Sequence, residues 1–137
     1  MNTDEREKVL NGPSVEIYPE QRLTHSILEA SFAVHNTLGV GFLEKVYASA
    51  LSLELRAKGF ACEREVPYQV KYRDVIIGDY VADLIVERRV LVELKSVPFL
   101  EKAHEAQTIN YLRVSGLRVG LLLNFGRSKL QYKRFVC

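Results

Sequence analysis

Two neighbouring apolar runs, each interrupted by one carboxylate, constrain this chain more than any other feature. The first run is Tyr80–Val86, which contains Asp83, and the second is Val90–Lys95, which contains Glu93. Short runs rich in valine, isoleucine and leucine are typical of buried strands. A buried charge is costly unless it is paired or bound to a metal ion. The pattern therefore predicts two adjacent strands whose acids are either neutralised by Lys95 or used to hold a cation.

The remaining residues predict an α/β fold, in which a mixed central sheet is flanked by helices. Helical spacing of apolar residues covers 20–37 and 42–58, and the second helix has an expected buried stripe of Leu43, Val46, Ala50, Leu53 and Ala57. A third helix is predicted over 101–115. Strands are predicted over 60–65, 67–73, 77–86, 89–97, 117–123 and 129–136, so the order is ααββββαββ. Residues 1–19 are polar and predict a flexible leader before a single domain at 20–137.

Length and composition exclude several classes of protein. A chain of 137 residues corresponds to one domain, and no apolar run reaches the roughly 18 residues of a membrane span. Two cysteines cannot form a disulfide framework, which favours a reducing, cytoplasmic compartment. The formal charge of +2 argues against a strongly basic nucleic-acid-binding protein.

The near-neutral total conceals an uneven distribution of charge. Residues 106–137 contain six basic and no acidic residues, whereas the preceding 105 residues contain 13 basic and 17 acidic ones. One interpretation is a protein that holds a cation at one place and a polyanion at another. The other is a solvated basic edge of the sheet.

The geometry of the hairpin decides whether the two acids can meet. Glu93 and Lys95 lie two positions apart on one strand and share a face. A two-residue turn at Glu87-Arg88 would pair Asp83 with Val92 and place the two acids on opposite faces. A three-residue loop, or a bulge beside Asp83, would bring the acids together. The repulsion between them would then favour a hard divalent cation, and a salt bridge to Lys95 is the alternative.

The same residues resemble the PD-(D/E)XK nuclease superfamily. Its pattern is an acid, a spacer of about ten residues, and Glu-x-Lys on the next strand, which Asp83, Glu93 and Lys95 match. The usual proline before the first acid is Ala82 here.

Two further motifs strengthen the resemblance, which extends over residues 23–136. Gln107 and Tyr111 are similar to the Gln-x-x-x-Tyr signature of the RecB-type branch, and their spacing of four places them on one helix face. The stretch from Gly41 through Glu44 to Tyr47 reads Gly-x-x-Glu-x-x-Tyr, the namesake motif of the GxxExxY protein family, a branch of the superfamily.

The resemblance implies a restriction-endonuclease-like core and hydrolysis of phosphodiester bonds in DNA or RNA. It implies Mg²⁺ or Mn²⁺ as cofactor, bound by three carboxylates and one carbonyl: Glu44, Asp83, Glu93 and Leu94. Lys95 would complete the catalytic set, and Gln107 and Tyr111 would contact substrate. Three more residues are expected at the substrate because of their charge or position: His104, Arg113 and Arg127. Whether the protein forms a homodimer is left open by the sequence. The alternative function is a catalytically silent module that binds nucleic acid or protein.

Overall fold

Five strands form one mixed sheet in the spatial order β1-β2-β3-β4-β5. A computed structural model describes residues 19–137, so the predicted leader lies outside the described residues except for Pro19. The strands are β1 (Cys62–Tyr72), β2 (Val75–Val86), β3 (Val90–Lys95), β4 (Val119–Asn124) and β5 (Gln131–Val136). Only β3 and β4 run parallel, and the other neighbours are antiparallel.

Helices cover both faces of this sheet, as the α/β prediction expects. Helices α1 (Gln21–Leu38) and α2 (Glu44–Ala57) pack on one face, where the larger apolar core lies. Helix α3 (Lys102–Ser115) packs on the other face over a smaller core. β3 and β4 are buried almost completely because both of their faces are covered, which confirms that the run 117–123 is central. Within residues 19–137, no helix is long and apolar enough to cross a membrane.

The strands predicted over 60–65 and 67–73 are in fact one strand, so the observed order is ααβββαββ. Pro67 lies inside β1 opposite Val81 of β2. β1 is an edge strand, and a proline is tolerated at an edge because no further strand needs its N–H group. The prediction of a break at Pro67 was therefore wrong.

The predicted buried stripe of the second helix was also wrong. The side chains of α2 that enter the core are Tyr47, Ala48, Leu51, Ser52 and Leu55. Leu43 and Leu53, which were predicted to be buried, are 78% and 70% exposed. Two stripes on α2 have apolar residues at helical spacing. Burial of Tyr47 selects between them, because its hydroxyl group finds partners in the loop before the helix.

The β2–β3 hairpin has the three-residue loop that the meeting of the two acids requires. Val86 pairs with Val90 and Leu84 with Val92, which leaves Glu87-Arg88-Arg89 as the loop. Glu87 and Arg88 have φ values of 55° and 56°, in the left-handed region. The residues that follow in this register are Asp83 on β2 and Glu93 on β3.

The sheet divides next to Asp83. β1 and β2 stay paired as far as Tyr72 and Val75, whereas β3 pairs with β2 only up to Leu84. The hairpin of β1 and β2 therefore extends about 30 Å beyond Leu84, its last residue paired with β3. The gap between β2 and β3 opens where the two acids lie.

Candidate functional site

Asp83 and Glu93 face each other across the gap between β2 and β3. The backbone N–H of Asp83 donates a hydrogen bond to Glu93 Oε2 at 3.1 Å. The N–H of Leu94 donates to Asp83 Oδ2 at 2.8 Å. Side-chain carboxylates thus replace the ladder of backbone hydrogen bonds at the point where the strands separate. Each acid uses one oxygen in this way, and the described contacts leave its other oxygen without a hydrogen bond.

The protonation of both acids is shifted by burial and by their mutual repulsion. Burial and, to a smaller extent, the Asp83 carboxylate together raise the pKa of Glu93 to about 8, against the opposing effect of the Asp83 N–H group and Lys95. Burial also raises the pKa of Asp83, to which the Glu44 carboxylate adds. When two neighbouring acids are both difficult to ionise, a bound cation stabilises their ionised forms more than it would stabilise isolated carboxylates.

Glu44 is held near this pair by the loop between α1 and α2. The Tyr47 hydroxyl donates to the carbonyl of Gly39 at 2.6 Å and accepts from the N–H of Phe42 at 3.3 Å. Gly41 has a φ of 106°, which favours glycine. Glu44 then begins α2, and its Oε2 accepts a hydrogen bond from the N–H of Ser96 at 3.1 Å. The motif Gly-x-x-Glu-x-x-Tyr is therefore a device that places one exposed carboxylate at the end of β3.

Lys95 lies on the face of the sheet that α3 covers. Its Nζ donates to Gln107 Oε1 at 3.1 Å, so the two predicted residues are in direct contact. Tyr111, one turn later, stacks on Tyr80 with ring centroids 3.6 Å apart. Burial raises the pKa of Tyr111, and the Glu93 carboxylate adds to this effect. Tyr111 is thus a packed aromatic residue next to the acids, and Gln107 fixes the position of the lysine.

The described contacts join none of the other three predicted substrate residues directly to Asp83, Glu93 or Lys95. His104 belongs to the cap of α3, where its Nδ1 accepts from the N–H of Glu101 at 2.9 Å. Arg113 lies near the far end of α3 and contacts Asn110 at 3.3 Å. Arg127 follows β4 at the same end of the sheet as Lys95, and its guanidinium group lies 4.4 Å from the ring centre of Phe99.

The oxygen atoms of these acids and of the nearby backbone are chemically suited to binding a hard divalent cation. The Lys95 carbonyl accepts a hydrogen bond on the β4 side, whereas the Leu94 N–H points to Asp83. Because the N–H and C=O of one strand residue point the same way, the Leu94 carbonyl also faces the gap between the strands. Carboxylate and carbonyl oxygens are the ligands that Mg²⁺ and Mn²⁺ prefer. Among residues 19–137, however, no three such side chains are grouped so that they could hold a metal ion. Each of the three acids accepts a hydrogen bond from a backbone N–H group.

A cavity of about 340 Å³ adjoins Asp83 on the side of the sheet that faces α2. Glu44, Lys45 and Ala48 of α2 line one wall, and the hairpin of β1 and β2 forms the other with Arg64, Glu65, Val81 and Asp83. Sequence reasoning did not select Lys45, Arg64 or Glu65, because nothing in their spacing distinguishes them from solvated charges of an amphipathic helix or an edge strand.

Asn124 and Gly126 fix the chain that leaves β3, and sequence reasoning missed both. Asn124 is fully buried, and its amide group accepts from the N–H and donates to the carbonyl of Val97, at 2.9 Å each. Gly126 packs so tightly on Val97 that an added Cβ would lie 2.4 Å from its backbone nitrogen. The only signal was an Asn-x-Gly sequence directly after an apolar strand.

Comparison with known proteins gives a family match over most of the chain. A family model of the PD-(D/E)XK nuclease superfamily matches residues 21–135. Among solved structures, one titled "Crystal structure of SSO0001" is similar at 14% identity and a TM-score of 0.47, over 85% of this chain and 79% of that one. No curated protein matches the chain.

Proposed function

Because the chain belongs to the PD-(D/E)XK nuclease superfamily, we propose that it is a divalent-metal-dependent nuclease. The observation that carries this proposal is the meeting of Asp83 and Glu93 in the gap between two strands, with Lys95 two residues further on. The pKa values of both acids are raised, as expected for carboxylates that await a cation. The substrate is DNA or RNA.

Four residues would hold Mg²⁺ or Mn²⁺ through their oxygens: Glu44, Asp83 and Glu93 through their carboxylates, and Leu94 through its carbonyl. When bound, such a cation supplies Lewis acidity, which makes a water molecule more acidic and offsets the charge of the phosphate. Asp83 and Glu93 would each offer the carboxylate oxygen that has no hydrogen bond, and Glu93, whose pKa is about 8, would bind the cation in its ionised form. Tyr47 and the loop before it keep Glu44 within reach.

Lys95 stabilises the negative charge that develops on the phosphate as the bond is cleaved. Its contact with Gln107 limits the orientations of the ammonium group, so less conformational entropy is lost when substrate binds. Gln107 is therefore a positioning residue. We also propose membership of the GxxExxY branch, because Gly41, Glu44 and Tyr47 together place one carboxylate at the end of β3. A cytoplasmic location and a single domain at 20–137 stay predictions.

A second candidate is a catalytically silent module of the same fold. The observation in its favour is that the three acids all accept hydrogen bonds from backbone N–H groups and are not gathered around a common centre. Such a module would bind nucleic acid or protein without cleaving either.

Cleavage of labelled single-stranded, duplex and branched DNA and RNA with Mg²⁺ or Mn²⁺ separates the two candidates. We expect cleavage that chelation abolishes. Lys95→Ala should reduce kcat by roughly 10²–10³-fold while metal binding is retained, because its charge acts on the transition state. Lys58→Ala is the matched control, since Lys58 is exposed and pairs with Glu54 at the far end of α2. Absence of cleavage across the whole panel would favour the silent module.

A further inference from the structure

Two cations line the cavity beside Asp83 without an acidic partner. Lys45 lies in the first turn of α2, and Arg64 lies on β1 across the cavity. Among residues 19–137, neither side chain takes part in a salt bridge, although Glu44, Glu65 and Asp83 line the same cavity. The Nε atom of Arg64 is buried and has no hydrogen-bond partner. A buried donor without a partner is costly, so the guanidinium group of Arg64 retains an unused donor in this structure.

A break in strand alternation directs Arg64 toward this cavity. Arg64 pairs with Leu84, which packs in the core under α1 and α2. The next ladder pair, Val66 with Ala82, instead packs under α3. Residues two positions apart should share a face, so the sheet reverses its faces between these pairs. Glu65, between them, has a φ of 51°, which accommodates the reversal at the cost of strain.

The carboxylates separate the nearby cations into two groups. Lys95 lies on the α3 side, where it contacts Gln107. Lys45 and Arg64 lie on the α2 side, with Asp83 between the two groups. The N-terminal end of α2, whose peptide dipoles favour anions, opens onto the same side. Two groups of positive charge on opposite sides of one acidic pair match two successive phosphates of a single strand.

We propose that Lys45 and Arg64 bind the backbone phosphate next to the one that is cleaved. The substrate strand then passes between the first turn of α2 and β1, and Asp83 lies beside the scissile bond. Arg64 offers a planar guanidinium group to two phosphate oxygens, and Lys45 adds a mobile point charge. This inference rests on the proposed nuclease function and specifies how its substrate is held.

The test measures binding of a labelled single strand of about 16 nucleotides, DNA or RNA, in the presence of Mg²⁺. All binding variants are made in the Lys95→Ala protein, in which cleavage is slow enough for binding to be measured. Arg64→Gln and Lys45→Gln are compared with two controls, Arg88→Gln in the β2–β3 loop and Lys58→Gln at the far end of α2. We expect each cavity variant to raise Kd by about tenfold and to reduce the slope of log K against log salt by about one. The controls should change neither quantity.

The outcomes distinguish this inference from the proposed function. One outcome is that the Lys95→Ala protein binds the strand and wild-type protein cleaves it, whereas Arg64→Gln and Lys45→Gln bind like the controls. The inference is then wrong and the nuclease function stands. If wild-type protein neither binds nor cleaves any nucleic acid, both are wrong. Melting temperatures of all variants identify loss of folding. Lys45→Arg keeps the positive charge, so its Kd should be close to that of the protein with Lys45 and lower than that of Lys45→Gln.

Discussion

Glu93 is an acid that remains 4% exposed at the centre of a sheet. Burial and the Asp83 carboxylate raise its pKa to about 8, above the ordinary value of 4.5. The folded chain therefore holds a proton that the unfolded chain releases as the pH rises through the ordinary value. Without metal, the free energy of unfolding contributed by this group falls between about pH 4.5 and pH 8, and Asp83 contributes with the same sign.

Glu93→Gln should remove this dependence, because glutamine keeps a hydrogen-bond acceptor but does not titrate. Each unit of pKa shift corresponds to about 1.4 kcal/mol, so we expect the variant to be more stable than wild type by a few kcal/mol at pH 8 without metal. Below pH 4.5 the two proteins should be nearly equal in stability. Urea unfolding across this range measures the difference.

Asp79→Asn serves as the control for this experiment, since Asp79 is exposed on β2. It should leave the pH profile of wild type unchanged. A wild-type profile that is flat from pH 4.5 to pH 8 would show that Glu93 is ionised throughout and that the account of the acidic pair is wrong.

The loop that follows β3 is held in place by residues of β4 and of the turn after β4, rather than by hydrogen bonds within the loop. Asn124 satisfies both backbone groups of Val97, and Gly126 allows the two segments to approach. Ser96, between Lys95 and Val97, binds Glu44 through its N–H and the carbonyl of Phe42 through its hydroxyl group. One small region thus determines where Lys95 and Glu44 lie relative to each other.

Gly126→Ala should destabilise the protein by about 1–3 kcal/mol, because its Cβ would lie 2.4 Å from backbone atoms that cannot move freely. The loop after β3 should shift, and cleavage should fall more than stability alone explains. Gly78→Ala is the matched control, since the nearest atom to its added Cβ is 4.0 Å away. Thermal unfolding and single-turnover cleavage test this prediction, and equal effects of the two substitutions would contradict it.

The sequence predicts those elements whose periodicity has one interpretation. Helix α1, the buried β4 and the acids of β2 and β3 were all recognisable because apolar spacing or an isolated charge marks them. The stripe of α2 was not, because two faces have the same spacing and a tertiary hydrogen bond of Tyr47 chooses between them. Arg64 could not be identified, since its role depends on a reversal of the sheet faces at Glu65 that leaves no mark in composition.

Across the whole molecule, the basic residues of 106–137 do not form one surface. Lys133 forms a salt bridge with Glu105 at 3.1 Å, and Arg134 donates to the carbonyl of Pro19. Arg118 lies at the start of β4, opposite the end that carries the acids. Arg127, in the loop that follows β4, lies at the acidic end. The positive charge of this segment is therefore spread over both ends of the sheet, and only part of it lies near the acids.

Arg127→Gln should therefore weaken nucleic-acid binding several-fold and reduce its salt dependence, whereas Arg118→Gln should not. Both residues carry the same charge, so the net charge of the two variants is identical. Fluorescence anisotropy at two or more salt concentrations measures the difference. Equal losses in both variants would indicate binding through total charge rather than through the acidic end of the sheet.

Calorimetric titration of Mn²⁺ into the protein tests the central claim, that Asp83 and Glu93 together hold a divalent cation. At pH 7 we predict saturable binding accompanied by release of a proton, because Glu93, whose pKa is about 8, must ionise to coordinate the metal. Titrations in two buffers of different ionisation enthalpy measure that proton. Glu93→Gln should abolish its release, and Asp83→Asn should abolish saturable binding. Absence of saturable binding to wild type, or equal binding to Asp83→Asn, would contradict the claim.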